Sequence, residues 1–200
     1  YGATDSGGDV LVVVRGPNKK QTIRRKKKSV IIWVNDTEVT FLDAPSYYFL
    51  ASTRPLNEFI SDNIARREQI GYPAMALTVK GFVDDAAIVQ DFRKALIRNK
   101  QKQGLYGEGP GLVSYKGKHL FRTRLHFPAN VPVGNYNIDI YVFKDGKIVN
   151  KESSTLPVQK KGIGAQVYKF AHRHALSYGL LAIFVAALAG WLASVMFRKV

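Results

Sequence analysis

The sequence predicts a mainly β fold: an Ig-like β-sandwich extracytoplasmic domain with a two-helix insertion, followed by one C-terminal transmembrane helix. Short strand-like runs occupy both ends of residues 1–160, and two helix-like segments lie between them at about 55–103. Near the C-terminus, an apolar segment contains no Asp, Glu, Lys or Arg, as a membrane-spanning helix requires. The predicted organisation is therefore a domain at 1–160, a juxtamembrane linker at 161–176, a transmembrane helix at 177–197 and a cytoplasmic tail at 198–200.

The first β block holds four strand-like runs. Each is rich in β-branched or aromatic residues, and short polar or turn-forming residues separate one run from the next. This pattern is typical of several short strands that follow one another along the chain. We predict strands over Asp9 to Pro17, Ser29 to Asn35, Thr37 to Asp43 and Ser46 to Ser52.

Two helices are predicted after this block. The first, PLNEFISDNIARREQ, opens with Pro55, a residue that suits the first turn of a helix. The second, DDAAIVQDFRKALIRNKQKQG, runs from an acidic start to a basic end and Gly104. Its apolar residues fall on one stripe, so it should lie on the sheets. The residues predicted to face outward are Arg93, Lys94, Arg98 and Lys100.

The second β block has the clearest alternation. In YNIDIYVF, the residues Tyr136, Ile138, Ile140 and Val142 share one face, which we expect to be core, while Asn137, Asp139 and Tyr141 share the face expected to meet water. The following Lys144 to Lys147 predicts a hairpin turn. Two prolines and a glycine precede the strand, as they do before late strands of many extracytoplasmic β-sandwich modules.

Positive charge is concentrated in two segments. The chain has 30 Lys and Arg against 15 Asp and Glu, with a net +6 in residues 1–28 and +8 in residues 93–124. Three interpretations stay open for the run KKQTIRRKKK: a solvated hairpin edge, a contact with an anionic membrane or acidic partner, and a contact with nucleic acid. The run contains no aromatic residue on which bases could stack, so we predict no nucleic-acid partner. Candidate anionic contacts are Lys19, Lys20, Arg24, Arg25, Lys26, Lys27, Lys28, Arg93, Lys94, Arg98 and Lys100.

No catalytic constellation can be assembled from the sequence. Cysteine is absent, which excludes disulfides and thiolate chemistry. His119 and His126 lie seven residues apart in the predicted strand KHLFRTRLHF and so should face opposite sides. His172 and His174 have no neighbouring Cys, Asp or Glu with which to bind a metal ion, and the glycines of YGEGPGLV lack the rest of a phosphate loop. We therefore predict no enzymatic activity, no catalytic residue, no metal site and no cofactor, and the sequence identifies no small-molecule substrate.

The C-terminal apolar segment has the length of a membrane span. A helix from Tyr178 to Phe197 would be about 30 Å long, the thickness of a bilayer's hydrocarbon core. Small residues recur at every fourth position on one face, and small residues let two membrane helices approach closely, although alanine is also common in membrane helices generally. The face predicted to pack on another helix consists of Ala182, Ala186, Ala189, Gly190, Ala193 and Ser194. The predicted membrane anchors are Tyr178, Trp191, Arg198 and Lys199.

Five stretches carry a family resemblance: GGDVLVVVRGP, ASTRPL, FRKALIRNKQKQGLY, LFRTRLHFPANVPVGNYNIDIYVF and YGLLAIFVAALAGWLASVMFRK. On these the chain is similar to the alphaproteobacterial putative transmembrane protein family. The resemblance implies an N-terminal signal segment, an extracytoplasmic domain and one C-terminal membrane helix, and it brings no catalytic residue. The resemblance also implies that the genes of family members lie beside genes for sulfite-exporter-like permeases. Such a gene order implies an integral membrane partner. This chain departs from the family pattern in its high lysine content and in lacking the expected leader and first strand.

Two observations on topology disagree. Four basic residues lie between Lys160 and Arg173, just before the span, whereas only Arg198 and Lys199 follow it, a count that favours a cytoplasmic domain. The family resemblance implies the opposite, and a long domain delivered by a leader crosses the membrane largely regardless of its charge. We predict a single-pass protein of the bacterial inner membrane with its main domain in the periplasm.

These features predict a membrane-anchored accessory subunit that docks on a multi-helix inner-membrane protein complex and performs no catalysis itself. The alternative is a binding module that captures an anionic ligand or lipid headgroup, in the service of a sulfite-exporter-like permease.

Overall fold

The computed structural model describes residues 1–4, 7–29, 32–81, 85–117, 119–159 and 173–197. The side chains of 26–29, 32–36 and 195–197 lie outside this description. The chain is a mixed α/β protein that divides into two compact units, Tyr1–Val158 and Gln159–Val200. The first unit contains all of the described strands and two α-helices, and the second contains the apolar C-terminal helix.

The elements follow the predicted order: a β block, helices, then a second β block and the apolar helix. The strands are β1 (Gly2–Ala3), β2 (Asp9–Arg15), β3 (Asn18–Ser29), β4 (Ile32–Pro45), β5 (Tyr48–Ser52), β6 (Gly111–Leu112), β7 (Ser114–Lys116), β8 (Leu120–Arg122), β9 (Gly134–Lys144) and β10 (Lys147–Val158). The helices are α1 (Asp62–Glu68), α2 (Ala86–Lys102) and α3 (Ala175–Phe197), and a short 3-10 turn spans Leu56–Glu58.

The main sheet has the order β10-β9-β2-β5-β6. Its strand pairs are antiparallel except for β5 and β6, which are parallel. The central strand β2 buries five consecutive residues, Val10–Val14, so both of its faces are covered. Two smaller sheets accompany it among the described residues, β1-β8-β7 and the hairpin β3-β4.

The alternation predicted for β9 holds only at its start, where Tyr136 is buried and Asn137 is exposed; Tyr141–Phe143 are all buried, so the face assignment is wrong for Tyr141. This residue was predicted to meet water, yet it is only 1% exposed, and Phe143 on the same face is fully buried. The helical insertion covers this end of the sheet, because the Phe59 ring packs edge-on against Phe143 with their centroids 5.2 Å apart. The predicted turn after β9 is confirmed: Asp145 and Gly146 both adopt positive φ, at 51° and 73°, as a tight hairpin turn requires.

The strands predicted at Ser29 to Asn35 and Thr37 to Asp43 are not separate: from residue 32 onward both belong to one strand, β4, whereas Ser29 ends β3 and residues 30 and 31 lie outside the described part of the chain. The polar residues around Asp36 do not end β4, because β3 is also long and pairs with β4 along nearly its whole length, with an irregularity at Arg25 and Lys26. On this hairpin α2 builds a second hydrophobic cluster, apart from the core of the main sheet. Its buried members are Val39, Phe41, Ala44, Phe92 and Leu96.

The first predicted helix is much shorter than expected. Pro55 precedes the 3-10 turn, the chain then leaves helical geometry, and α1 starts only at Asp62. It ends at Glu68, and the next residue, Gln69, adopts the left-handed conformation with φ 54°. The second predicted helix is confirmed as α2.

The predicted strand KHLFRTRLHF is also shortened, because β8 ends at Arg122. His119 lies just before β8, where one ring nitrogen is 3.0 Å from the carbonyl oxygen of Thr4. His126 lies in irregular chain, where its carbonyl accepts a 2.8 Å hydrogen bond from the hydroxyl of Tyr47. The opposite faces predicted for the two histidines therefore do not apply.

Candidate functional site

A strongly charged cavity lies between α2 and β3. Asp85 fixes the start of α2, because its carboxylate accepts hydrogen bonds from the backbone N–H groups of Ala87 and Ile88, at 2.8 and 3.4 Å. Farther along, Phe92 and Leu96 are buried against the β3-β4 hairpin. These contacts hold the neighbouring polar stripe of the helix beside the strand.

This cavity, which we call the basic groove, has a volume of about 450 Å³. It is lined by residues from both segments that the sequence marks as basic, although these segments are far apart in the chain. The lining residues are Ile23, Arg24, Arg25, Asp91, Phe92, Lys94, Ala95 and Arg98. The structure thus brings four of the predicted anionic contacts together in one place.

The four cations of the groove differ in their partners. Arg24 pairs with Glu38 at 2.9 Å, while Arg25 pairs with Asp91 at 3.3 Å and lies over the Phe92 ring, 5.4 Å from its centroid. These pairs are half exposed or more, so each is worth little. Lys94 and Arg98 are exposed and form no ion pair or hydrogen bond with the described residues. Their charge is therefore free to meet an anion.

Lys100, on the same helix, does not face outward as predicted. The residue is only 7% exposed; its ammonium forms no hydrogen bond or ion pair within the described chain, but it is not one of the buried atoms that lack a partner. Burial, and then the nearby charge of Lys19, lowers the pKa of Lys100. Lys19 itself is exposed on β3. The long apolar stem of Lys100 is therefore buried, while its ammonium keeps contact with water.

Arg93 is another predicted anionic contact that does not point freely into solvent. Its guanidinium donates hydrogen bonds to the carbonyl oxygens of Tyr72, Pro73 and Met75, the first two at 2.8 and 3.2 Å. Desolvation lowers its pKa. These hydrogen bonds connect α2 with the segment that follows α1. Arg93 therefore has a structural role.

The remaining members of the predicted basic set lie on β3. Lys20 is exposed. The backbone of Lys26–Lys28 continues the strand opposite Trp33, Val34 and Asn35, but their side chains lie outside the described part of the chain.

Sequence reasoning missed a second polar cluster, between the main sheet and α1. The Arg15 guanidinium contacts the Asp139 carboxylate and donates to the carbonyls of Glu68 and Gln69 at 2.9 and 3.0 Å. The Glu68 carboxylate accepts a 2.8 Å hydrogen bond from Lys151. That bond lowers the pKa of Glu68 most, ahead of the opposing effect of burial. Each charged group of this cluster has a partner. We therefore interpret the cluster as a structural contact that holds the end of α1 against the main sheet.

The predicted histidine and glycine features do not form a site. His172 lies outside the described residues, so its relation to His174 is not defined. Within the described part of the chain, no group of three His, Cys, Asp or Glu residues is placed to hold a metal ion. Gly107 and Gly109 belong to the connection that leads into β6, and Gly111 is the first residue of that strand.

The second unit contains the predicted span. The residues Ala175–Ser194 form 20 residues of helix with a mean hydropathy of 2.0, which is long and apolar enough to cross a membrane. A Cβ atom placed on Gly190 would meet nothing within 4 Å beyond the helix's own backbone. Tyr178 and Trp191 lie within this helix, whereas Arg198 and Lys199 lie outside the described residues.

The family comparison agrees with this organisation. Residues 1–199 match the family described as "Putative transmembrane protein (Alph_Pro_TM)". Because the match covers nearly the whole chain, the chain belongs to this family, and the resemblance predicted from the sequence is confirmed. No curated protein and no solved structure matches the chain.

Proposed function

We propose that this member of the family is a membrane-anchored accessory subunit, which docks on a multi-helix complex of the bacterial inner membrane through α3. The single observation that carries the proposal is the small-residue face of α3, on a helix that is long enough to span a bilayer. Two membrane helices gain little from the hydrophobic effect in lipid, so they associate through close packing and hydrogen bonds. A face built from Ala186, Gly190 and Ser194 supports both kinds of contact.

The test compares substitutions on this face with one outside it. Gly190→Leu and Ala186→Leu add bulk where a partner helix would approach, and the free space around Gly190 means that leucine creates no clash within the chain itself. After purification in mild detergent, we expect the wild-type chain to migrate with a larger assembly. Both leucine variants should remain in the membrane fraction but run separately from that assembly.

Leu188→Ala is the matched control, because Leu188 lies on the bulky side of α3 and its loss should leave the assembly intact. The proposal fails if the wild-type chain runs as a lone monomer. It fails equally if both leucine variants still migrate with the larger species.

A second function is favoured by the basic groove. We propose that the main domain captures an anionic ligand or lipid headgroup there, in the service of a sulfite-exporter-like permease. Support comes from the meeting of the two basic segments in one cavity, where Lys94 and Arg98 lack protein partners among the described residues. Binding should weaken steeply with added salt, because exposed charges are screened.

The finer architecture belongs to the same proposal. An Ig-like β-sandwich, a periplasmic location and the absence of catalysis stay predictions from the sequence and the family resemblance. A domain of this kind would hold the groove on the outer side of the inner membrane, close to a transported or signalling anion.

A further inference from the structure

A small cavity with aromatic walls lies between β5, the segment after α1 and the loop that leads into β6. Its volume is about 250 Å³. Apart from the glycines Gly71 and Gly109 and one carboxylate, Glu108, its lining is aromatic or aliphatic. We call this cavity the tyrosine pocket. Its apolar lining residues are Tyr48, Leu50, Leu56, Tyr72, Pro73 and Pro110.

The two tyrosines of the pocket are fixed by the surrounding backbone. The hydroxyl of Tyr48 accepts a 2.8 Å hydrogen bond from the backbone N–H of Gly71, and the hydroxyl of Tyr72 donates to the carbonyl oxygen of Gly107. The centroids of the two rings are 5.3 Å apart, and Tyr106 stacks on Tyr72 at a centroid distance of 5.7 Å. The rings are therefore held as rigid walls before any ligand arrives.

The loop over the pocket has a shape that glycine makes possible. It pairs with β5 at Tyr106 and again at Gly111, and the stretch between these two pairings is longer on the loop side than on the strand side. The loop must therefore arch away from β5. Its return at Gly111 requires glycine, because a Cβ there would lie 2.6 Å from a ring carbon of Phe49. The arch carries Glu108, which is exposed and forms no hydrogen bond or ion pair within the described part of the chain.

The charge of the tyrosine pocket is opposite to that of the chain. Although the chain has 30 Lys and Arg against 15 Asp and Glu, Glu108 is the one charged residue among the described residues that line this pocket. Arg15 lies 6.0 Å from the centroid of the Tyr48 ring, but it does not line the pocket and its charge is paired with Asp139. Aromatic faces and a carboxylate both attract cations. An anion, in contrast, would be repelled by Glu108.

We propose that the tyrosine pocket binds a compact organic cation, an alkylammonium group joined to a small apolar body. Glu108 supplies the counter-charge, and the rings of Tyr48 and Tyr72 supply walls that suit both parts of such a ligand. A second cavity of about 430 Å³ shares Leu56 and Pro73 with the pocket, so a longer apolar body has room to continue beside α1. The inference is independent of both proposed functions, which concern α3 and the basic groove.

The experiment titrates the full chain in dodecyl maltoside micelles with benzyltrimethylammonium chloride, followed by calorimetry. Benzyl alcohol is the neutral comparison, and empty micelles give the blank for each compound. We expect the cation to bind about tenfold more tightly than benzyl alcohol, because the rings and Glu108 both favour positive charge. Glu108→Gln should weaken binding of the cation about threefold, the scale of an exposed charge pair, and leave binding of benzyl alcohol unchanged.

Two further variants test the aromatic wall. Tyr72→Leu removes a ring and should weaken binding of the cation about tenfold, whereas Tyr72→Phe keeps the ring and should retain most of the affinity. Circular dichroism checks that both variants are folded. Glu152→Gln is the control that matches the charge change of Glu108→Gln, since Glu152 is exposed on β10 and has no ion pair within the described residues. It should bind both compounds as the wild type does.

Three results would overturn the inference: no saturable binding of benzyltrimethylammonium, binding of benzyl alcohol that is as tight or tighter, and unchanged affinity for the cation in Glu108→Gln. The last result decides even if Tyr72→Leu does not fold, because Glu108 is exposed and its substitution disturbs no contact within the described chain. None of these outcomes bears on anion binding by the basic groove or on assembly through α3, which their own experiments measure.

Discussion

At the scale of single residues, the ion pair between Glu68 and Lys151 makes a pH-dependent contribution to stability. The hydrogen bond from Lys151 lowers the pKa of Glu68 below its ordinary value of 4.5, and the same bond raises the pKa of Lys151 above 10.5. The pair therefore stabilises the fold fully between these two pH values. Its contribution is lost as pH falls through the lowered pKa of Glu68, and again as pH rises through the raised pKa of Lys151.

We expect Lys151→Gln to lower the melting temperature at pH 7 by at most a few degrees, because the lysine is 45% exposed and such pairs contribute less than about 1 kcal/mol. Between pH 7 and pH 3 the variant should lose less stability than the wild type. Thermal unfolding of the full chain in detergent, followed by circular dichroism, measures both. Lys147→Gln on the same strand should behave as wild type. If Lys151→Gln loses as much stability between pH 7 and pH 3 as the wild type does, the pair does not stabilise the fold.

At the scale of elements, the two helices of the first unit begin differently, and this difference is testable. Asp85 caps α2 with its side chain, whereas Ser61 occupies the same position before α1 and forms no capping hydrogen bond. Asp85→Ala should therefore cost about 1 kcal/mol of unfolding free energy, the usual loss for a cap. Ser61→Ala should cost nearly nothing. Urea unfolding of the two variants checks this, and equal losses would contradict the assignment of the cap.

Local patterns predict α2 and the β9-β10 hairpin well, because the information lies within each segment. The stripe through Phe92 and Leu96 gives the helix its buried face, and Asp145-Gly146 gives the hairpin its turn. The break predicted at Asp36 fails for the opposite reason. Whether the strand continues there depends on pairing with β3, and the local composition does not determine strand pairing.

The candidate site is predictable only in part. Composition marks both basic segments, but Arg25 and Asp91 meet across 66 residues of sequence, so their common groove depends on the tertiary fold. The burial of Lys100 depends on the same packing.

Gly16 shows that the fold, too, is only partly predictable from local sequence. A Cβ there would lie 2.9 Å from the backbone nitrogen of Tyr47, a close approach that no local pattern reveals.

At the scale of the whole molecule, the side of the membrane on which the main domain lies is directly testable. The chain contains no cysteine, so a single introduced cysteine reports its own location without a background signal. Lys147→Cys places a thiol at an exposed position of the first unit, which precedes the apolar helix in the sequence. Val200→Cys places a thiol in the sequence after that helix. With the domain in the periplasm, a membrane-impermeant maleimide should label Lys147→Cys in intact right-side-out spheroplasts and label Val200→Cys only after lysis. The charge count before the span favours the reverse pattern. Labelling of Val200→Cys alone before lysis would therefore place the domain in the cytoplasm, and an accessory role on the outer face of the membrane would have to be abandoned.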